Sequence, residues 1–242
     1  MTLPAVVLFD LDDTLFAHRA AVAAGIRTHM DAVGITAPDV DAAVADWYRL
    51  EELHYHRYLA GELAFEGQRR ARARDFAASH GVDLGDDEAG AWFGAYFEHY
   101  RAAWRLHDDA LPCLAALRVA RPDVRIGLIT NGDLAFQARK IAQVGLDREV
   151  DLVVASGELG IVKPDARIFH HACERLDVAP DEAAYVGDRL RTDAIGAAAA
   201  GLTGVWLNRS GVVPDPDDAA AARELGVIEL PDLTRLVPAL AR

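Results

Sequence analysis

The chain has 242 residues and a formal net charge of −13, and 52% of its residues are hydrophobic. This length allows one large domain or a core domain with a smaller one, and the composition supports a sizeable buried core. The acidic charge argues against nonspecific binding to nucleic acid or anionic membranes, because both would repel the chain at long range. A small anionic substrate remains compatible, since a single site can be locally positive.

Three further patterns bear on the compartment. Cys113 and Cys173 lie far apart, without metal-binding spacing or a disulfide framework, so we expect two reduced thiols. The apolar run Ala5 to Phe9 is far shorter than a signal-peptide core, and no basic segment precedes it. No stretch is long and apolar enough to span a bilayer. These patterns predict a cytoplasmic protein with no membrane partner.

The first predicted element is a buried strand at Ala5–Phe9, a short continuous run of strand-forming residues. From about residue 17 to residue 107 the periodicity is helical only, with breaks at glycines. The four candidate helices are His18–Val33, Pro38–Leu59, Glu62–His80 and Asp86–Leu106. An all-helical segment directly after a first strand predicts a smaller inserted domain, residues 17–107, within a core made of residues 1–16 and 108–242.

Beyond the insert, strand and helix patterns alternate. The further predicted strands are Val124–Ile129, Leu152–Val154, Ala183–Val186 and Gly204–Leu207. The helices between them are Asp109–Val119, Leu134–Val144, Asp165–Leu176 and Thr192–Ala200. A short strand at Val227–Leu230 and a last helix follow. Such alternation predicts an α/β fold, in which a parallel sheet is covered by helices on both faces.

Two aspartates, Asp10 and Asp12, follow the first strand, and ligands of open α/β sheets bind beyond the carboxyl ends of strands. Two close carboxylates repel, so a divalent cation is a natural partner for them. One carboxylate can attack phosphorus to form an acyl phosphate, and a second can protonate the leaving oxygen and later activate water. A lone aspartate here would more often be a turn or cap residue.

Polar groups also follow the next three strands. Thr130-Asn131-Gly132 offers a hydroxyl, an amide and backbone N–H groups, which suit an anion. Lys163 can neutralise a phosphate or the repelling carboxylates. Asp188 and Asp193 lie near a helix start, where one can cap and the other bind metal. Each group alone fits a turn, a cap or a surface position, but their joint placement favours phosphoryl transfer.

These motifs resemble those of the haloacid dehalogenase (HAD) superfamily. Its four motifs correspond to Phe9–Leu15, Thr130–Gly132, Lys163-Pro164 and Gly187–Asp193. The resemblance implies a Rossmann-like core with a helical cap inserted after the first strand. Leu128–Gly132 and Leu159–Pro164 are similar to the subgroup that holds pyrimidine 5'-nucleotidases and N-acylneuraminate-9-phosphatase.

The resemblance also implies catalytic roles. Asp10 would be the nucleophile, and Asp12 would be the general acid/base. Lys163 would bridge the nucleophile and the phosphate. Dehalogenases and phosphonate-cleaving members lack an aspartate at the Asp12 position, so its presence favours hydrolysis of a phosphate ester.

The binding roles follow from the same resemblance. Thr130 and the backbone of Asn131 would hold the transferring phosphoryl group, together with Lys163. Magnesium would be bound by Asp10, by the backbone carbonyl of Asp12 and by Asp188, with Asp193 as a supporting carboxylate.

The predicted function is therefore a magnesium-dependent phosphatase that acts on a small phosphorylated metabolite, of nucleotide or sugar phosphate type, through an aspartyl-phosphate. A cap over the site favours small substrates, because a lid excludes water and large molecules. Two alternatives remain open: a phosphomutase or phosphotransferase of the same superfamily, and a non-catalytic metabolite-binding protein. The substrate and the oligomeric state stay unknown.

Several residues of the insert are candidates for substrate contact, although packing is the commoner use of such residues. They are His18, Glu51, His54, Tyr55, His56 and Tyr58. A set of aromatic residues is expected to pack the core of the insert: Trp47, Trp92, Phe93, Tyr96 and Phe97. We expect a solvated helix stripe from Arg69, Arg70, Arg72 and Arg74.

Overall fold

Six short apolar runs form one parallel sheet in the computed structural model, which describes residues 3–241. The strands are β1 Val6–Phe9, β2 Arg125–Thr130, β3 Leu152–Ala155, β4 Ala183–Gly187, β5 Thr203–Leu207 and β6 Ile228–Leu230. Their order across the sheet is β3-β2-β1-β4-β5-β6, which makes β1 central. All four side chains of β1 are fully buried. Because successive side chains of a strand point to opposite faces, both faces of the sheet are covered, and the predicted α/β fold is confirmed.

The helical residues divide between two compact units. One unit is His18–Trp104, and the other contains the described residues up to Ala17 and from Arg105 onward. The helices of His18–Trp104 are α1 His18–Val33, α2 Val40–Leu59, α3 Phe65–Ser79 and α4 Asp86–Ala102. No strand occurs in this unit.

An aromatic cluster forms the core of the helical unit. The ring centroid of Trp47 lies 5.1 Å from Phe76, 5.5 Å from Trp92 and 4.6 Å from Tyr96. The pairs of Trp47 with Phe76 and Tyr96 are edge-to-face, an arrangement that adds to the free energy gained by burial. Phe93 is also buried, whereas Phe97 is half-buried.

The expected solvated arginine stripe on α3 is wrong at Arg72. Arg69 is only partly solvated, because its side chain is 20% exposed and its guanidinium lies 4.2 Å from the ring centre of Phe65. Arg72 is only 4% exposed, donates to Glu51 Oε1 at 2.7 Å and lies 3.9 Å above the ring of Trp47. Its position four residues before Phe76 places it on the buried face of the helix. Arg70 and Arg74 do lie at the surface, where both pair with Asp86.

Seven α-helices lie between and after the strands of the sheet-containing unit, among the residues that the structure describes. They are α5 Ala110–Ala120, α6 Leu134–Gln143, α7 Ser156–Leu159, α8 Ala166–Arg175, α9 Gly196–Ala199, α10 Pro216–Glu224 and α11 Leu236–Leu240. The helix predicted at Thr192–Ala200 differs, because a π-helical turn at Leu190–Ile195 precedes α9. Such turns are frequent at functional sites.

Within the same unit, the segments before residue 18 and after residue 104 pair with each other. Phe16 forms an antiparallel bridge with Leu106, and the N–H of His107 donates to the carbonyl of Leu15 at 2.8 Å. Both cysteines are buried and free. Among the described residues, no helix has the length and apolar character needed to cross a membrane.

Candidate active site

The first motif begins where β1 ends, in the middle of the sheet. In the parallel register, Phe9 lies opposite Leu128 of β2 and Val186 of β4. The N–H of Asp10 continues this ladder by donating to the carbonyl of Val186 at 2.8 Å. Because parallel strands end at one edge of a sheet, the residues that follow β1, β2 and β4 converge on a common site.

Lys163 is the centre of a buried hydrogen-bond cluster. Its ammonium donates to Asp10 at 2.6 Å, to Asp193 at 2.8 Å and to the hydroxyl of Tyr185 at 2.8 Å. All three ammonium protons therefore have a partner. Burial alone would lower the pKa of Lys163, but the carboxylates of Asp10 and Asp193 outweigh it and hold this pKa above its ordinary value. Lys163 is thus a buried cation.

Three carboxylates, two of which contact this cation, lie close together. Asp10, Asp188 and Asp193 each contribute one oxygen to a group whose atoms lie within 4.8 Å of one another. Burial raises the pKa of Asp10 to about 7 although Lys163 opposes the change. Burial, followed by the charge of Asp10, also raises the pKa of Asp188. The single Lys163 ammonium cannot balance the negative charge of three carboxylates. Such a set of hard oxygen ligands therefore fits a divalent cation.

Gly187 and Asp193 determine the shape of the loop after β4. A Cβ atom on Gly187 would lie 2.4 Å from the carboxylate carbon of Asp193, so only glycine fits there. A carboxylate oxygen of Asp193 also accepts the N–H of Arg189 at 3.0 Å, which closes the loop that carries Asp188. Asp193 therefore contacts both the loop and Lys163.

The second motif, Thr130–Gly132, is hydrogen-bonded to the backbone of Lys163 in the third motif. Asn131 Oδ1 accepts the N–H of Lys163 at 3.0 Å, and Asn131 Nδ2 donates to the carbonyl of Lys163 at 3.4 Å. Thr130 is buried at the end of β2, and its Oγ1 accepts a hydrogen bond from Gln137 at 2.9 Å. The backbone of Gly132 has a φ of 154°, and its N–H donates to Ser156.

Asp12 points to a different partner from Asp10. Its carboxylate oxygens lie 2.7 and 3.0 Å from the ammonium of Lys140 on α6, and Gln137 Nε2 is 3.4 Å from Oδ2. The side chain of Asp12 is absent from the carboxylate group around Lys163. The site therefore has an acidic part, around Asp10, and a separate part that joins Asp12 to α6.

Sequence reasoning missed Lys140, Gln137 and Tyr185. One signal could have found Lys140, because the chain contains only two lysines, Lys140 and Lys163, against many arginines. Tyr185 is a polar residue within the apolar run of β4, and its hydroxyl donates to the carbonyl of Ile129 at 3.1 Å. Gln137 had no comparable signal.

The candidate substrate residues of the helical unit have partners inside that unit. His54 Nε2 lies 2.8 Å from Asp75. Glu51 pairs with Arg72, and although burial acts to raise the pKa of Glu51, Arg72 and His18 hold it below its ordinary value. These contacts favour a structural use for Glu51 and His54.

Residues 4–201 match the family model of the haloacid dehalogenase-like hydrolases. The chain therefore belongs to this family and is a hydrolase-type enzyme. The predicted superfamily is confirmed.

Named relatives give a finer comparison. A glyceraldehyde 3-phosphate phosphatase from Methanopyrus kandleri is 32% identical over 84% of this chain and 83% of its own length. A phosphoserine phosphatase from Thermus thermophilus is 39% identical over 54% of this chain, and the match spans 51% of that relative. The N-acylneuraminate-9-phosphatase of Rattus norvegicus, from the predicted subgroup, is 43% identical over 41% of each chain.

Among solved structures, the HAD hydrolase YfnB of Bacillus subtilis superposes with a TM-score of 0.78 over the whole of both chains. The two sequences are 20% identical, so this similarity concerns the fold alone.

Proposed function

We propose that this protein is a magnesium-dependent phosphatase that hydrolyses a small phosphorylated metabolite through an aspartyl-phosphate intermediate. The observation that carries the proposal is the position of Asp10. It is buried at the carboxyl end of the central strand, 2.6 Å from the Lys163 ammonium and beside the carboxylates of Asp188 and Asp193. The phosphatase names of the relatives from Methanopyrus kandleri and Thermus thermophilus support this class of reaction.

In the first half of the proposed reaction, a carboxylate oxygen of Asp10 attacks the phosphorus atom of the substrate. The bond between phosphorus and the ester oxygen breaks, and the carboxylic acid of Asp12 gives its proton to that oxygen. The products of this half are the free alcohol, the aspartyl-phosphate on Asp10 and an ionised Asp12.

In the second half, Asp12 takes a proton from a water molecule whose oxygen attacks the same phosphorus atom. The bond between phosphorus and Asp10 breaks, which releases inorganic phosphate and returns both aspartates to their starting states. One ester and one water thus become one alcohol and one phosphate.

Phosphoryl transfer also requires that the negative charge on the phosphoryl oxygens is neutralised. In the proposal, the Thr130 hydroxyl and the Asn131 backbone bind the phosphoryl oxygens, and the Lys163 ammonium balances the charge that they share with Asp10. The hydrogen bonds of Asn131 to Lys163 support this arrangement, because they hold the second and third motifs together.

We further propose Mg²⁺ as the metal, held by Asp10, Asp188 and the backbone carbonyl of Asp12, with Asp193 as the supporting carboxylate. When bound, the ion supplies charge neutralisation for the phosphoryl oxygens. The buried excess of carboxylate over ammonium charge supports the presence of a cation, and oxygen ligands suit magnesium.

The proposed substrate is a small nucleotide or sugar phosphate, and the proposed location is the cytoplasm. The net charge of −13 disfavours a nucleic acid or an anionic membrane as a partner. We assign catalysis to the unit formed by residues 1–16 and 108–242, with residues 17–107 as a separate helical cap.

A panel of phosphorylated metabolites tests the proposal. We expect phosphate release from at least one compound with Mg²⁺ present, and loss of that release with EDTA or in Asp10→Asn. Asp147→Asn, at an exposed position in the same unit, is the matched control and should match the wild type. Wild-type turnover in Asp10→Asn, or in the presence of EDTA, contradicts the proposed mechanism.

A further inference from the structure

The two lysines of the sequence are each buried against one aspartate of the first motif. Lys163 contacts Asp10, and Lys140 contacts Asp12. Lys140 is only 1% exposed. The proposed reaction gives a role to Lys163, whereas it leaves Lys140 without one.

The surroundings of Lys140 fix its ammonium in one place. It contacts both carboxylate oxygens of Asp12 and lies 4.7 Å from the ring centre of Phe16 and 5.2 Å from that of Phe136. Aromatic faces attract a cation, so the rings and the carboxylate favour the same ammonium position. Burying an ammonium costs free energy unless it is paired, so this lysine depends on Asp12.

Asp12 does not need Lys140 to compensate for the loss of water around its carboxylate. Its side chain is 31% exposed, so water could solvate the carboxylate without any lysine. The main effect of the ion pair is therefore to favour one rotamer of the Asp12 side chain over the others that it could adopt. Direction matters for a group that must exchange protons with two different oxygens.

Gln137 extends this contact to the phosphate-binding residues. It lies three positions before Lys140, on the same face of α6, and it is also buried. Its Nε2 donates to Thr130 at 2.9 Å and lies 3.4 Å from Asp12. One helix face thus connects the carboxylate of Asp12 with the hydroxyl of Thr130.

We propose that Lys140, supported by Gln137, is a positioning residue for Asp12. The ion pair holds the Asp12 carboxyl group in the orientation from which it exchanges a proton with the leaving oxygen and then with water. The ammonium carries three N–H donors, so it keeps a hydrogen bond to one carboxyl oxygen while the other oxygen carries the proton. This inference rests on the proposed phosphatase function.

Steady-state kinetics of Lys140→Met provide the first test. We expect kcat to fall at least about tenfold while KM stays within about twofold, because the methionine keeps the shape and removes the charge. Lys140→Arg should recover part of the lost kcat. Arg139→Met, an exposed cation one residue away on α6, should match the wild type. A rise in KM with unchanged kcat would mean that Lys140 binds substrate, and it would overturn the positioning role.

A double-mutant cycle gives a second, independent test. If Lys140 acts through Asp12, then Lys140→Met should change the single-turnover rate by less than about twofold in an Asp12→Asn background. Losses that multiply in the double variant overturn the inference. Lys140→Gln serves in the same cycle if Lys140→Met does not fold, and a thermal melt of each variant identifies that case.

The same measurements separate this inference from the proposed function. Wild-type protein that releases no phosphate from any compound overturns both. An active wild type that Asp10→Asn inactivates, combined with a Lys140→Met variant of wild-type kcat, overturns the positioning role alone.

Discussion

Lys163 and Asp193 form an ion pair at 2.8 Å between two side chains that are almost completely buried. Asp193 thereby fixes the cation that contacts Asp10. The same carboxylate also holds the loop of Asp188 through the N–H of Arg189. Support from such a residue is commonly worth about 10–100-fold in metal affinity or activity.

The first prediction concerns Asp193→Asn. We expect kcat to fall about 10–100-fold, because Lys163 loses a charged partner and the loop of Asp188 loses an acceptor. Without metal, we expect little change in melting temperature, since the substitution also relieves repulsion with Asp10. Asp181→Asn, an exposed aspartate of the same unit, is the control. Wild-type kcat in Asp193→Asn would show that Lys163 needs no such support.

The second prediction concerns the acid and base roles of Asp12. Asp12→Asn should lower kcat on an alkyl phosphate by about 10²–10⁴, the usual contribution of general acid–base catalysis. With p-nitrophenyl phosphate, whose leaving group needs little protonation, we expect a rapid burst of one nitrophenol per enzyme and then slow turnover. Stopped-flow absorbance measures the burst. Equal losses on both substrates without a burst contradict a proton-transfer role.

The third prediction concerns Arg209, which joins three parts of the sheet-containing unit. It donates two hydrogen bonds to Asp109 at 2.8 Å and one to the carbonyl of Thr14 at 2.9 Å. Arg209→Met should lower the free energy of unfolding in urea by about 2 kcal/mol, because it removes the ion-pair partner of the largely buried carboxylate of Asp109.

The matched control for Arg209 is Arg191→Met. Arg191 pairs with Asp218, but its side chain is 69% exposed, so the loss should stay below about 0.5 kcal/mol. Similar losses in both variants would mean that burial of the Arg209 pair adds nothing.

The fourth prediction is a pH dependence of stability that arises in the helical unit. His29 is 1% exposed, and neither ring nitrogen has a hydrogen-bond partner among the described residues. Burial, with a smaller contribution from His99, lowers the pKa of His29 to about 4. The unfolded chain therefore binds this proton at a higher pH than the folded chain, and stability is lost as the pH falls from about 6.5 to about 4.

The loss attributable to His29 is on the order of 3 kcal/mol at pH 4. Urea titrations at several pH values should show this slope in the wild type and a weaker slope in His29→Phe. His56→Gln, at an exposed site, should keep the wild-type slope. An unchanged slope in His29→Phe would assign the acid sensitivity to other groups.

Much of the fold could be predicted because its signals are local. The apolar runs of β1 and β4 and the helical periodicity of His18–Val33 are readable from short windows of sequence. The π-helical turn at Leu190–Ile195 was not predicted, since it is associated with contacts of Asp193 to distant residues such as Lys163.

The candidate site likewise contains some residues that local sequence patterns identify and some contacts that they do not. Strand ends identify Asp10 and Asp188, because the carboxyl edge of a parallel sheet gathers whatever follows its strands. Lys163 comes later in the connection after β3, beyond the short helix α7. The contact between Asp12 and Lys140 joins residues 128 positions apart, so no local pattern indicates it. The scarcity of lysine was the only hint in the sequence.

By itself, the sequence of this protein determined the α/β class, the all-helical insert and the residues that reach the edge of the sheet. These follow from periodicity and from position along a strand. Only the tertiary structure decided that Lys140 faces Asp12, that Tyr185 contacts Lys163 and that Arg72 is buried beside Trp47. The physical reason is that such pairs depend on which helix face packs against which element. A buried charged side chain is stable only when that packing brings a partner within reach.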